Sequence, residues 1–439
     1  MSANGKLELF QRRRRRFMDA IGAESAAILP SAPVSVRSND VEYRYRQDSD
    51  FYYLTAFPEP ESVALFAPGH PDGEFVLFVR PRDKERETWT GRRAGVEGAI
   101  VDYGADKAFT IDELDRVVPR YLERAERVHY AFGHNDRMNT RILGLIRSAQ
   151  EMRPRVGSGP TAILNPREIV HEARLTKAPE EIEFMRRAIA ISAEAHKRAM
   201  RTARGGMFEW QLEAEVDYAF RSRGAAGPSY PSIIASGPNA AILHHVQNDR
   251  ELRDGELLLI DAGCEYQYYA SDVTRTFPVH APFSQLQREL YSIVLDAQLK
   301  AIETVKPGVH FDDPHEAALQ VLVAGMISVG LLKGSVDEVI AQGSYRRFYM
   351  HRTSHWLGMD VHDAGLYRVG GKSRVLEPGM VLTVEPGLYI SADDDSVPAH
   401  FRGIGIRIED DVLVTESGHE VLTAQIPKQI PDIECLTVA

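Results

Sequence analysis

Apolar residues recur at helical spacing in the segment that opens at Pro179, where Ile182, Met185, Ile189 and Met200 fall on one face. Pro179 in the first turn, with Glu180 and Glu181 beside it, marks a helix N-terminus. A second predicted helix carries Leu212, Val216 and Phe220 inward and stops at Gly224, and strands follow to about Val279. Ser284 to Gln287 form a capping box for a third helix with Leu286, Leu290, Ile293 and Val294 inward; Glu316 to Leu331 form a fourth. Strands again finish the unit, to Val414. Two helices followed by strands, given twice, predict an α+β domain with pseudo-twofold αβ halves.

The first half reads differently. Short strand-like runs such as Phe75 to Val79 alternate with turns at Pro68 to Gly73 and Pro81-Arg82-Asp83, which predicts a smaller mixed α/β domain. The texture changes after Leu164-Asn165-Pro166, so the boundary is placed near Leu175, giving domains 1–174 and 175–439. A chain of 439 residues exceeds the roughly 250 to 300 at which a single core stops growing. The Arg12 to Arg16 run reads as a solvated helix face.

Charge narrows the function. With 52 basic and 63 acidic side chains the formal charge is −11, which argues against a nucleic-acid partner. No apolar run reaches the roughly 20 residues of a membrane span, and Asp19 and Glu24 fall where a leader would be apolar. Cys264 and Cys435 are too few for a disulfide framework, so a reducing, cytoplasmic setting is expected.

The chemistry concentrates in the second half. Leu257 to Asp261 is an apolar run ending in an acid, and Tyr269 to Thr276 is a second run containing Asp272. Paired antiparallel about a tight turn at Tyr266-Gln267, the two would set Asp261 opposite Asp272, with Cβ atoms roughly 4.5 to 5.5 Å apart. Like charges there imply a positive partner. Val381 to Glu385 is another apolar strand ending in an acid, and Ile404, Ile406 and Ile408 alternate with Gly405, Arg407 and Glu409, placing Arg407 and Glu409 on one face. His351, His355 and His362 fall within twelve residues. Four acids and a histidine from separate elements make an oxygen-rich binuclear metal site the economical reading, since two divalent ions offset four carboxylates. Hard oxygen donors with one imidazole favour Mn²⁺ over a structural Zn²⁺. Dinucleotide and phosphate loops, a zinc-protease helix and a nucleophile elbow are missing, while a triad assembled from distant residues stays open.

Ile260-Asp261-Ala262-Gly263, Ser271 to Thr276, His351 to Asp363, Glu385-Pro386-Gly387 and Gly405 to Asp410 together resemble the aminopeptidase P (Xaa-Pro aminopeptidase) group of the pita-bread metallopeptidases. Tyr45 to Phe51 and Arg80 to Asp83 extend the resemblance into a creatinase/prolidase-like N-terminal domain. It implies that Asp261, Asp272, His355, Glu385 and Glu409 are the ligands of two divalent ions. Asp272 and Glu409 would bridge, with Asp261 on one ion and His355 and Glu385 on the other. A bridging hydroxide would attack the carbonyl before proline while Glu385 relays its proton. His362 and His244 would hold substrate and steady the tetrahedral intermediate, His351 would line the proline side, and Arg407 would orient a bridging carboxylate. Trp89 resembles a residue that completes a neighbouring subunit's pocket, and Asp40 one that gates the pocket mouth. Arg352 stands where relatives often have glycine. His245 matches no role in the family and reads as an ordinary polar-pocket or surface histidine.

The resemblance further implies peptide substrates beginning Xaa-Pro and a homo-oligomer, a tetramer or a dimer. Prolidase, with the same centre acting on Xaa-Pro dipeptides, is the nearest alternative. Methionine aminopeptidases usually lack such an N-terminal domain, creatinase-like members lack the ligands, and a silent binding module should show broken ligands or a basic surface.

Overall fold

The computed structural model describes residues 3–133 and 135–438, and the chain forms two compact units, Met1–Arg174 and Leu175–Ala439. The first is built on a six-stranded mixed sheet in the spatial order Lys107–Thr110, Phe75–Val79, Val63–Phe66, Ser25–Pro30, Arg127–His129, Ala162–Leu164. Its middle strands are buried along their whole length, which explains why they read as unbroken apolar runs rather than as alternation. Leu114, Val117, Val118, Ile142 and Ile146 from two helices cover one face. The Ala3–Ile21 helix presents Phe17 to Phe66, with ring centroids 5.4 Å apart.

That helix corrects one expectation. Arg12, Arg15 and Arg16 are solvated, but Arg13 and Arg14 are buried. Arg13 lies over the Tyr53 ring at 4.1 Å and donates to the Tyr53 carbonyl; Arg14 lies over Phe75 at 4.4 Å and donates to the Leu54 carbonyl. Adjacent residues on a helix differ by 100°, so a run of five arginines wraps past the solvated face onto the protein.

In the second unit the helices Pro179–Thr202 and Glu209–Ser222 precede an antiparallel sheet of Ile233–Ser236, Leu257–Asp261 and Thr274–Pro278. Gln285–Thr304 and Asp313–Ser328 then precede Val381–Val384, Gly387–Ile390, Ile404–Arg407 and Asp410–Val414. The Ser284–Gln287 capping box is formed, and Gly224 has φ +90°, as a helix stop requires. The fourth helix starts and ends three residues earlier than expected, because Asp313 and Pro314 occupy its first turn. The strands do not end the unit at Val414 either: His419–Val421 and the helix Ile430–Thr437 follow. Among the described residues no helix is long and apolar enough to cross a membrane.

Where the two halves meet, backbone bonds join their strands. The Glu409 N–H donates to the Thr274 carbonyl at 3.1 Å, and Thr276 Oγ1 donates to the Arg407 carbonyl at 2.9 Å. Arg275, fully buried, ties this seam: it donates to the carbonyls of Thr274, Glu409, Ile426 and Pro427 and to Asp410 Oδ1. Arg275→Met is expected to lower the unfolding free energy by roughly 3–5 kcal/mol, read by urea denaturation. A loss below about 1 kcal/mol would mean that Lys428, 2.5 Å from Asp410, suffices alone.

Candidate metal centre

The aspartate hairpin forms, with a register two residues away from the expected one. Asp261 pairs with Thr274, and the turn falls at Gln267-Tyr268 instead of Tyr266-Gln267. Both turn residues have positive φ, 52° and 70°, as the turns that match strand twist demand. A slip of two keeps every side chain on its face, so Asp272, in the irregular stretch between Tyr269–Ala270 and Thr274–Pro278, still meets Asp261. The two are joined through Tyr230, whose hydroxyl lies 2.6 Å from Asp261 Oδ1 and 2.5 Å from Asp272 Oδ1. Gly263 makes the fold-back possible, since a Cβ there would sit 1.8 Å from the Ser271 carbonyl oxygen.

Strand ends bring in the rest. Thr274 Oγ1 donates to Glu409 Oε2 at 2.7 Å, and Arg407 Nε contacts the same hydroxyl at 3.1 Å while its other nitrogens reach Asp261 Oδ2 at 2.6 Å and Tyr389 OH at 3.0 Å. Arg407 and Glu409 therefore share a site, and both are buried, so the pairing is no surface bridge. His355 is carried beside Val381–Val384 by its backbone bonds to Thr383, and its Nε2 lies 3.3 Å from Asp272 Oδ2 and 3.5 Å from Glu385 Oε1. Ligand atoms of Asp272, His355 and Glu409 all fall within 4.8 Å of one another.

Charge in this pocket is unbalanced. Three buried carboxylates, Asp261, Asp272 and Glu409, and the partly buried Glu385 face Arg407 and one imidazole. Burial first, and the Asp272 and Asp261 charges with it, push the Glu385 carboxyl up to about 7 against the pull of His355 and Arg407. Burial and the Asp272, Glu385 and Asp261 charges hold Glu409 well above the carboxylate range, and burial outweighs Arg407 to raise Asp261. Burial opposes a charge on His355, yet the Asp272 bond and the Glu385 charge push it up to about 9.

Two details fit divalent ions here. A phenol has one proton, so Tyr230 satisfies one of its two carboxylates and leaves the other short of positive charge. His355 Nδ1 is 3.0 Å from the Trp356 carbonyl, which takes that N–H and leaves Nε2 turned toward the acids, free to act as a ligand atom. Asp261, Asp272, Glu385, Glu409 and His355 thus form a donor set suited to hard divalent ions.

The remaining candidates surround it. The His362 ring stands edge-on to His355 at 4.5 Å and is exposed, and burial with the His355 charge lowers its pKa; His244 is also exposed. His351 Nε2 meets Tyr389 OH at 2.8 Å, and burial pushes this imidazole down to about 4. Arg352 is exposed and bonded to Asp312. Trp89 is 85% exposed on the N-terminal unit, and Asp40 is exposed in a turn there.

His245 takes the first of the two settings expected for it, a polar pocket and not the surface. It is buried and bonded to Glu209 Oε2 at 2.9 Å. With Asp249 these form a second group of potential ligands, but both Glu209 oxygens already accept N–H donors from Ser236, Asn239 and Arg250, so this is a hydrogen-bond hub. Sequence reasoning also missed Tyr230, Thr274, Tyr389 and Asp411, whose Oδ2 accepts the Asp272 N–H at 3.3 Å. For Tyr389 the signal was present: it alternates with Leu388 and Ile390 on a strand that directly follows Glu385.

Comparisons with known proteins agree with this arrangement. The family model for metallopeptidase family M24 matches residues 183–416, and that for the aminopeptidase P N-terminal domain matches residues 10–130. The Xaa-Pro aminopeptidase of Escherichia coli K12 is 46% identical over 431 residues, covering 98% of this chain and 97% of that protein. Among solved structures, Pseudomonas aeruginosa aminopeptidase PepP superposes with a TM-score of 0.96 at 50% identity, covering 98% of each chain. Zn-substituted E. coli aminopeptidase P in complex with product gives 0.95 at 45% identity, again over 98% of each chain. The chain, with its pita-bread unit and its N-terminal domain, belongs to metallopeptidase family M24 and within it to the Xaa-Pro aminopeptidases.

Proposed function

We propose that this protein is a metal-dependent exopeptidase that releases the N-terminal residue from peptides with proline in second position. The carrying observation is the cluster of four carboxylates and His355 beside three further histidines, in a chain similar over its full length to Xaa-Pro aminopeptidases. Asp261, Asp272, His355, Glu385 and Glu409 are the proposed ligands, with Asp272 and Glu409 shared between two ions. Bound there, divalent ions supply Lewis acidity and an activated water. The donor set of hard oxygens and one imidazole supports Mn²⁺ as the ion.

The chain's own groups do the rest. Glu385, whose Oε1 accepts from Thr383 Oγ1 at 3.3 Å, would take a proton from the attacking water and return it to the departing proline nitrogen. His362 and His244 present ring nitrogens to the substrate carbonyl, whose oxygen gains charge on attack. His351, neutral at physiological pH and bonded to Tyr389, offers an uncharged face to the proline ring. Arg407 holds Asp261, the acid proposed for one ion, and reaches Glu409 only through Thr274 Oγ1, so its direct contact is not with a bridging carboxylate as the resemblance implied. Two free cysteines support a cytoplasmic setting, and the resemblance supports a homo-oligomer, a tetramer or a dimer.

Mn²⁺-loaded protein given Arg-Pro-Pro and Arg-Pro in parallel is expected to free arginine from the tripeptide, read by mass spectrometry. Release from the dipeptide alone would make it a prolidase. Release from neither would leave a binding module.

A further inference from the structure

The hub around Glu209 has no part in the proposed chemistry, yet it lies under the segment that delivers His244. Glu209 opens the helix Glu209–Ser222 and is fully buried. Its Oε1 accepts from the Ser236 N–H and Ser236 Oγ, both at 2.7 Å, and from Asn239 Nδ2 at 3.1 Å. Its Oε2 accepts from His245 at 2.9 Å and from the Arg250 N–H at 3.1 Å. One carboxylate therefore grips residues 236, 239, 245 and 250, the two ends and the middle of the segment containing His244. The segment's own first turn, Gly237–Ala241, is pressed onto the strand that ends in Arg407: a Cβ on Gly405 would sit 1.9 Å from the Ala240 carbonyl oxygen.

His244 is exposed and His245 is buried. His244 lies in the turn Leu243-His244 that hands directly on to His245, so anchoring His245 inward holds the backbone from which His244 projects outward. An imidazole that must meet a reacting carbonyl tolerates little misplacement; about 1 Å costs on the order of 100-fold in rate.

We propose that Glu209 and His245 are positioning residues for the reaction, acting through His244 by holding it against the metal-ligand cluster. This rests on the reading of the site as an Xaa-Pro aminopeptidase centre. The bond between a buried carboxylate and His245 is charge-assisted or charge–dipole in character, stronger than a neutral pair, and water replaces it poorly at a buried position.

The test is a double-mutant cycle on the Mn²⁺-loaded full chain with Arg-Pro-Pro, joined to amide hydrogen exchange of residues 237–247 without metal. His245→Ala is expected to lower kcat by about tenfold or more with KM within about twofold. His245→Gln, whose amide can still donate to Glu209, is expected to recover most of the loss. In a His244→Ala background, His245→Ala is expected to cost less than about twofold, because the residue it acts through is gone. Exchange of 237–247 is expected to quicken at least about tenfold in Glu209→Gln and His245→Ala, with the helix Pro179–Thr202 unchanged as evidence that the unit stays folded. Equal losses from His245→Ala in both backgrounds, or unaltered exchange in 237–247, would overturn the proposal. Wild-type protein that leaves Arg-Pro-Pro intact would defeat the functional reading, and the exchange experiment would still decide whether the hub orders the segment.

Discussion

Protein stripped of divalent metal is expected to release no arginine from Arg-Pro-Pro and to lose stability as the pH rises from about 5 to about 9. The sign follows from the acids. Burial and neighbouring charges push Glu385 up to about 7 and hold Glu409 and Asp261 above their ordinary range. Between the ordinary carboxylate pKa and these raised values the folded state binds more protons than the unfolded one, so the unfolding free energy falls as pH climbs. His355 works in the same direction: raised to about 9, it stabilises the fold below its unfolded value and the benefit is lost as pH passes 9. Divalent ions replace those protons, so stabilisation by Mn²⁺ should grow with pH across the same window. Saturation at a hundredfold excess over Kd is worth about 2.7 kcal/mol. Calorimetry at pH 5, 7 and 9, in EDTA and in Mn²⁺, measures both. A melting temperature in EDTA that is flat or rising over this range would remove the charge imbalance from the argument.

How far the sequence carried the fold depends on which forces act locally. Helix caps and faces were legible because they are set within a few residues: Ser284 with Gln287, Gly224, and the stripe Leu212, Val216, Phe220. The Asp261–Asp272 pairing was legible in kind but not in register, because the turn type is decided by the backbone at Gln267 and Tyr268, and neither residue advertises positive φ. Tyr230 and Thr274 were invisible for another reason. Their importance comes from what they touch 31 to 135 positions away, and no local period encodes that. The arginine run misled because its count suggested solvent, whereas two of its members lay their guanidinium groups over the Phe75 and Tyr53 rings. The partner of His245 was out of reach of the sequence, because Glu209 lies 36 residues earlier on a different element.

Glu409→Gln gives the second large effect, and it divides function from stability. As a proposed ligand shared between two ions, Glu409 should be irreplaceable: turnover is expected to fall by more than about 100-fold, the upper end for groups that merely support a ligand. The fold should respond in the opposite sense. The Gln carbonyl can still accept from Thr274 Oγ1, which is 2.7 Å from the carboxylate it replaces. What disappears is a carboxyl that burial and the charges of Asp272, Glu385 and Asp261 keep from ionising in the metal-free fold, and with it the cost of holding that proton at a pH above the unfolded value. In EDTA at pH 8 the variant should therefore melt higher than wild type, at about 2–4 °C per kcal/mol of protonation cost removed, while in Mn²⁺ the ranking reverses because only wild type gains from the metal. His362→Ala serves as the contrast. That exposed ring beside His355 is proposed to meet substrate, so its loss should depress kcat while the Mn²⁺-induced rise in melting temperature persists. A Glu409→Gln protein that melts lower than wild type in EDTA would mean that the Glu409 charge is net favourable through Arg407, and that this pocket stores no repulsion for metal to relieve.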